Sequence, residues 1–154
     1  MAIALDCNSM VVDTMSWRGM VTHRKQKNSR VKIVHRHTKH CLHGPAVKHY
    51  WTREWWVDGK RHRLNGPAIV CVDLEEWWVN GKRHRDNGPA VKCTDGHKEW
   101  WVGGKVHRLD GPAIEHADGS TFWYVDGKRH RLDGPAVDYV GGGKEWWVAG
   151  VRQK

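Results

Sequence analysis

The sequence predicts an all-β protein built from tandem β-hairpin repeats, forming an elongated, twisted antiparallel sheet behind a short irregular N-terminal segment. Three observations carry this reading. A Gly-Pro pair returns at Gly44-Pro45, Gly66-Pro67, Gly88-Pro89, Gly111-Pro112 and Gly134-Pro135, in steps of 22, 22, 23 and 23 residues. An aromatic pair returns in phase with it, at Trp55-Trp56, Trp77-Trp78, Trp100-Trp101, Trp123-Tyr124 and Trp146-Trp147. Each aromatic pair runs into Val and then a two-residue turn signal, Asp58-Gly59, Asn80-Gly81, Gly103-Gly104 or Asp126-Gly127. A fixed period of this length marks a repeat array, and turns of this composition between short apolar segments mark type I′ hairpins.

Residues 1–34 read as a basic leader. Residues 1–40 hold eight Lys and Arg against Asp6 and Asp13, a balance of +6, whereas residues 41–154 hold eighteen against fifteen, leaving +3 of the total +9. Such an excess favours anionic partners: nucleic acid or a nucleotide above all, or an acidic protein or membrane surface. Met1–Asp6 lacks a basic start and its apolar stretch stops at Asp6, so it does not read as a secretory signal. No apolar run approaches the ~18 residues of a membrane span. The expectation is a soluble, cytoplasmic protein, in a host cell if the source is viral. Met10–Met20 reads as a short strand or helix and Thr22–Arg30 as a solvated basic loop.

The array is expected over residues 35–154, with a degenerate first copy and then copies starting near residues 54, 76, 99, 122 and 145. In the degenerate copy Ile33-Val34 stand for the aromatic pair, and His40 occupies the place of His62. A cap of this kind suits a terminal repeat. Its histidines and cysteine, His35, His37, His40, Cys41, His43 and His49, are metal-ligand types at no standard zinc spacing. A His-rich basic cap is the reading, with no metal or other cofactor assigned.

In each full copy a two-residue turn fixes the register, setting Val57 opposite Lys60, Trp56 opposite Arg61, Trp55 opposite His62 and Glu54 opposite Arg63. Ala149-Gly150 stands at the last turn, where Ala disfavours positive φ, so that turn is expected to be distorted or frayed. The second strand is expected to run past a kink at Asn65-Gly66-Pro67 and on through Ala68 to Val72. Asp95-Gly96, Asp118-Gly119 and Gly142-Gly143 then turn the chain into the next copy.

Alternation along the strands gives two faces. Trp55, Val57, His62 and Leu64 share one, where Trp55, Trp77, Trp100, Trp123 and Trp146 are assigned to the core as an aromatic ladder. Tryptophan has to carry the burial, because the chain holds eleven Trp and a single Phe. The other face sets Trp56, Trp78, Trp101, Tyr124 and Trp147 beside Arg61, Arg83 and Arg129, with Val106 breaking the arginine row. On that face Arg63, Arg85 and Arg108 are expected to pair with Glu54, Glu76 and Glu99, and Arg131 to face Phe122. These twelve aromatic and arginine residues are the candidate ligand-binding set, since indoles stack on bases and guanidinium groups meet phosphates. The competing reading is that Trp56 and Arg61 stabilise each other across the hairpin.

Catalysis is not expected. His62, His84, His107 and His130 recur with the repeat, whereas a catalytic residue is normally one of a kind, and the chain carries no phosphate loop, nucleophile elbow or Cys-x-x-Cys motif. Cys71 and Cys93 occupy equivalent positions two strands apart, ~9 to 10 Å, beyond disulfide reach, so free thiols and a reducing compartment are expected.

The Asn-Gly-Lys-Arg-His segment after a Trp strand, the Asp-Gly turns and the period near 23 resemble MORN-type repeat proteins across residues 35–154. The Gly-Pro-Ala segment departs from the usual Gly-Tyr-Gly and is similar to Gly-Pro-Ala/Trp-Trp repeat proteins of large bacteriophages and bacteria. The resemblance implies a twisted hairpin array acting as a binding or scaffolding surface. Two functions are therefore carried forward. One is an anion-binding module, a viral factor that sequesters or blocks a host component. The other is a protein-interaction scaffold that assembles or self-associates through its sheet faces and edges.

Overall fold

The computed structural model describes residues 39–41 and 43–154. The leader, with Met10–Met20, Thr22–Arg30, Ile33-Val34, His35 and His37, lies outside the described residues. Within them the regular structure is entirely β-strand. The degenerate copy ends in β1 (Val47–Lys48), and the first full copy supplies β2 (Thr52–Glu54), β3 (Trp56–Val57), β4 (Lys60–Arg61) and β5 (Ile69–Cys71).

Asp58 and Gly59 both take positive φ, 48° and 71°, and the turn they make pairs Val57 with Lys60 and Trp56 with Arg61, in the expected register. Asn80-Gly81, Gly103-Gly104 and Asp126-Gly127 repeat it. Ala149-Gly150 does as well, with φ of 51° and 84° and Val148 paired to Val151, so the expected distortion is absent. Its strain is held by the preceding repeat: Ala149 N donates to His130 Nδ1 at 3.1 Å and Gly150 N to the Arg129 carbonyl at 2.9 Å.

The hairpin does not continue as one long ladder. Its last bond is from His62 N to the Trp55 carbonyl, 3.1 Å; Arg63 N then donates to Trp78 of the next repeat, 3.0 Å. Glu54 consequently pairs with Val47 on one side and Ile69 on the other, not with Arg63. The expected second strand is broken into β4 and β5 because Gly66 (φ 147°) and Pro67 intervene, one outside ordinary strand geometry and the other without a donor. Each repeat thus serves two structures, a short hairpin at the tip and a pair of strands in a larger sheet.

That larger sheet has ten antiparallel strands in chain order, from β1, β2 and β5 through Leu74–Glu76, Val91–Cys93, Lys98–Glu99, Ile114–Glu115, Thr121–Phe122 and Val137–Asp138 to Lys144–Glu145. Asp95-Gly96 and Asp118-Gly119 turn the chain as expected, while the equivalent last turn centres on Gly141-Gly142 rather than Gly142-Gly143, with the Tyr139 N donating to the Gly143 carbonyl. The hairpin tips are also tied edge to edge: Gly81 N donates to Arg61 O, Gly104 N to Arg83 O, Gly127 N to Val106 O and Gly150 N to Arg129 O, each at 2.9 Å.

The core differs from the tryptophan ladder that composition suggested. Among the described residues the fully enclosed ones are Ala68, Ala90, Ala113, Ala136 and Val137, each 0% exposed, beside buried Ile69 and Val91. The alanine is the pivot between the two structures: Trp55 N donates to Ala68 O at 2.8 Å while Ala68 N donates to Glu76 O at 2.7 Å. Trp55, Trp77, Trp100 and Trp123 are half-buried and Trp146 is 49% exposed. Leu64, assigned to the apolar face, is 73% exposed, because the alternation lapses where pairing stops at His62.

Cys71 and Cys93 are free, as their spacing requires. Cys41 is buried. Among the described residues no helix is long and apolar enough to cross a membrane.

Candidate binding surface

The twelve expected binding residues divide into two constellations. The first follows the hairpin tips. The Arg61 guanidinium lies 5.2 Å from the Trp56 ring centre and 5.4 Å from that of Trp78 in the next repeat, and Arg83 lies 5.4 Å from Trp78 and 5.3 Å from Trp101. Lys39, the counterpart of Arg61 in the degenerate copy, starts the series 4.7 Å from Trp56. Cations and indoles alternate, so each arginine joins two repeats through cation–π attraction.

Glutamates anchor both partners. Trp56, Trp78, Trp101 and Trp147 donate their indole N–H to Glu54, Glu76, Glu99 and Glu145 at 2.6–2.8 Å. Arg83 reaches the buried Glu76 at 2.6 Å, Arg61 lies 3.6 Å from Glu54, and Arg129 donates to Glu145 at 3.2 Å. The acids expected to pair with Arg63, Arg85 and Arg108 are therefore taken by the other arginine row, and Arg108 meets Glu115 instead, at 3.2 Å. The series breaks once, and the break is matched: Val106 replaces the arginine in the third full copy, and the following copy replaces the glutamate with Phe122 and the tryptophan with Tyr124. Phe122 packs instead against His116 and Tyr139, and Tyr124 accepts a 3.2 Å hydrogen bond from Arg129 Nε, which pushes that guanidinium's pKa up.

The second constellation holds Arg63, Arg85, Arg108 and Arg131. Each guanidinium lies over an indole of the other row, 3.8 Å from the ring centre of Trp55, 3.8 Å from Trp77, 4.0 Å from Trp100 and 4.0 Å from Trp123. Each also donates to the proline carbonyl four residues on, at 3.0–3.3 Å. This arginine row therefore lies with the Trp55 row, the face opposite to the one expected for it. The Gly of Gly-Pro makes room for it: a Cβ on Gly111 would sit 2.7 Å from Arg108 Cζ. In the later copies the lock gains an aspartate, Asp110 for Arg108 and Asp133 for Arg131, whose carboxyls those arginines hold below the usual range mainly by the side-chain hydrogen bond. Arg131 meets Trp123, Pro135 and Asp133, not Phe122.

The repeating histidines have one shared task. His40, His62, His84, His107 and His130 each accept, at Nδ1, the backbone N–H of the first turn residue in the following repeat, all at 3.1 Å. Accepting there places the proton of the neutral ring on Nε2, and His84 Nε2 indeed faces Asp86 at 3.2 Å. Among the described residues no group of three ligand types is placed to hold a metal ion.

Two sets of residues went unassigned in the sequence. The buried alanines were signalled by a small residue after every Gly-Pro. The lysines after each turn glycine, Lys60, Lys82, Lys105 and Lys128, were signalled by their recurrence, and all four are exposed. Their stems lie along the turn glycine of the following repeat: Cβ positions built on Gly81, Gly104, Gly127 and Gly150 fall 3.5–3.8 Å from the nearest of them.

Compared with known proteins, the chain matches no family model, no curated protein and no solved structure.

Proposed function

We propose that the chain is a non-catalytic binding protein whose repeat array, together with its basic leader, holds an anionic ligand, a nucleic acid or a nucleotide. One observation carries this reading. The second strand of successive hairpins presents an adjacent pair of cations, Lys60-Arg61, Lys82-Arg83 and Lys128-Arg129, on tips tied to one another by backbone hydrogen bonds. The arginines are pre-oriented by indoles and glutamates yet remain about a third exposed, and the lysines are open to solvent. Fixed cations lose little side-chain entropy on meeting an anion.

The non-catalytic part of the reading rests on the histidines, which are spent on the same turn contact in copy after copy. The motif resemblance to MORN-like and phage repeat proteins extends the proposal to a viral factor that sequesters or blocks a component of its host. A second reading, a protein-interaction scaffold, is favoured by one specific feature: Leu64, Leu109 and Leu132 recur at equivalent positions and are 73%, 76% and 79% exposed.

The test is to purify the full chain without nuclease, identify what co-purifies, and titrate the recovered ligand in rising salt. The proposal expects an ultraviolet-absorbing anion whose affinity falls steeply with salt. A ligand-free protein that is oligomeric in solution would instead support the scaffold.

A further inference from the structure

The tryptophan–arginine series is close to neutral by itself, since Arg61, Arg83, Arg129 and Arg152 are met by Glu54, Glu76, Glu99 and Glu145 at 2.6–3.8 Å. Its indoles are engaged as well, Trp78 lying 5.4 Å from both Arg61 of the preceding repeat and Arg83 of its own. What remains uncompensated is the lysine row: Lys60, Lys82, Lys105 and Lys128 form no ion pair among the described residues. The carboxylates nearest in sequence, Asp58 and Asp126, flank only its two ends and lie 3.2 Å and 3.3 Å from the Nδ1 atoms of His40 and His107. The turns beside Lys82 and Lys105 carry Asn80 and Gly103 instead.

We infer that this row is the binding edge for single-stranded nucleic acid, with one backbone phosphate group engaged per repeat. The inference deepens the anion-binding proposal and rests on it. Successive tips are two strands apart, ~10 Å, so the row spans ~30 Å. A mononucleotide meets one lysine of such a row, whereas a polymer meets all four, and only the polymer collects the combined attraction. Two further properties choose among polymers and surfaces. Strands in an open sheet rotate by roughly 20–25° each, so tips two strands apart fan by about 40–50°. A flat anionic membrane then touches one or two tips at a time, and a DNA duplex, stiff over about 150 base pairs, does not wind around them. A flexible single strand follows the row. The base of each lysine stem lies beside the next turn glycine, and the backbone bonds between tips set the step from which the charges project.

The experiment compares the full chain with the quadruple variant Lys60→Gln, Lys82→Gln, Lys105→Gln, Lys128→Gln. Binding is followed by fluorescence anisotropy against oligothymidylates of about 3 and about 20 nucleotides, a labelled mononucleotide, and vesicles rich in phosphatidylserine. Far-ultraviolet circular dichroism verifies that the variant keeps its sheet. The row predicts tight binding of the long oligomer only, and a salt dependence whose log–log slope is smaller in the variant by about 2.8, which is four contacts at ~0.7 each. A mononucleotide bound as tightly as the long oligomer would overturn the row and leave the anion-binding proposal standing. An unchanged slope in the variant would overturn it too, transferring the contact to the leader. Capture of vesicles but not oligomers would replace nucleic acid by a membrane surface. Binding of none of these anions would remove both the row and the proposal beneath it.

Discussion

Arg83→Met isolates an interaction that joins two successive repeats. The arginine spans Trp78 and Trp101 and donates to Glu76, whose carboxylate is 5% exposed. Methionine keeps most of the stem, so the loss is mainly electrostatic. Two cation–π contacts at partly exposed sites contribute ~0.5–1 kcal/mol each. A hydrogen bond to a charged group adds ~1.5–3 kcal/mol, and Glu76 would retain only the Trp78 indole as donor. The arginine is itself about a third exposed and water reaches it, so the lower part of the combined range, about 3 kcal/mol, is expected. The second variant, Arg83→Met with Glu76→Gln, removes the stranded charge and should recover ~1–2 kcal/mol. Urea unfolding followed by tryptophan fluorescence measures both, and the exposed Lys82→Met, expected within ~0.5 kcal/mol of wild type, is the control. If Arg83→Met shifts the midpoint no further than the control, or if the double variant is the less stable of the two, the arginine series does not hold the repeats together.

Ala149→Asn should stabilise the last hairpin by ~1 kcal/mol, because Asn tolerates the left-handed backbone at φ 51° that Ala resists; an unchanged melting midpoint contradicts the assigned turn. His107→Ala removes the acceptor for the Asp126 amide. The cost is expected to be ~0.5–1 kcal/mol, with faster hydrogen exchange concentrated at that amide; exchange unaltered there would show that the imidazole does not cap the turn. Asp110 and Asp133 are held below their ordinary value of 3.8 by Arg108 and Arg131. Such carboxyls bind more protons in the unfolded chain, so their contribution is complete above the ordinary value and is lost as pH falls beneath it. The variant Asp110→Asn/Asp133→Asn should therefore lose stability less steeply than wild type on acidification below about pH 4, and an identical slope in acid denaturation would count against the locks.

The periodicity exposed the fold more fully than the site. Hairpin turns and their register are set by adjacent residues, and Asp58-Gly59 sufficed to pair Trp56 with Arg61. Beyond His62 the same rule gave the wrong partner for Arg63, because Gly66-Pro67 ends the ladder and sends the chain to the neighbouring repeat. Alternation counted through that point put Arg63 with Trp56, whereas its guanidinium lies on Trp55. Composition misdirected the core as well: tryptophans are the largest apolar residues present, yet the residue that recurs fully enclosed is an alanine, whose backbone bonds both to Trp55 and to Glu76 of the next repeat. The mutual support of Trp56 and Arg61, weighed as a competing reading, is present and reaches further than one hairpin, since the same arginine also covers Trp78.

The arginine series and the lysine row both require equivalent residues to advance by a constant step from one repeat to the next. Pulsed electron paramagnetic resonance measures that step, with spin labels at Lys60→Cys/Lys105→Cys and at Lys60→Cys/Lys128→Cys in a chain whose four native cysteines are replaced by serine. Single narrow distributions near ~20 Å and ~30 Å are expected, two and three steps of paired strands. Two distances that fail to grow with repeat number, or broad distributions at either pair, would contradict the stacked array and with it the arginine series and the lysine row.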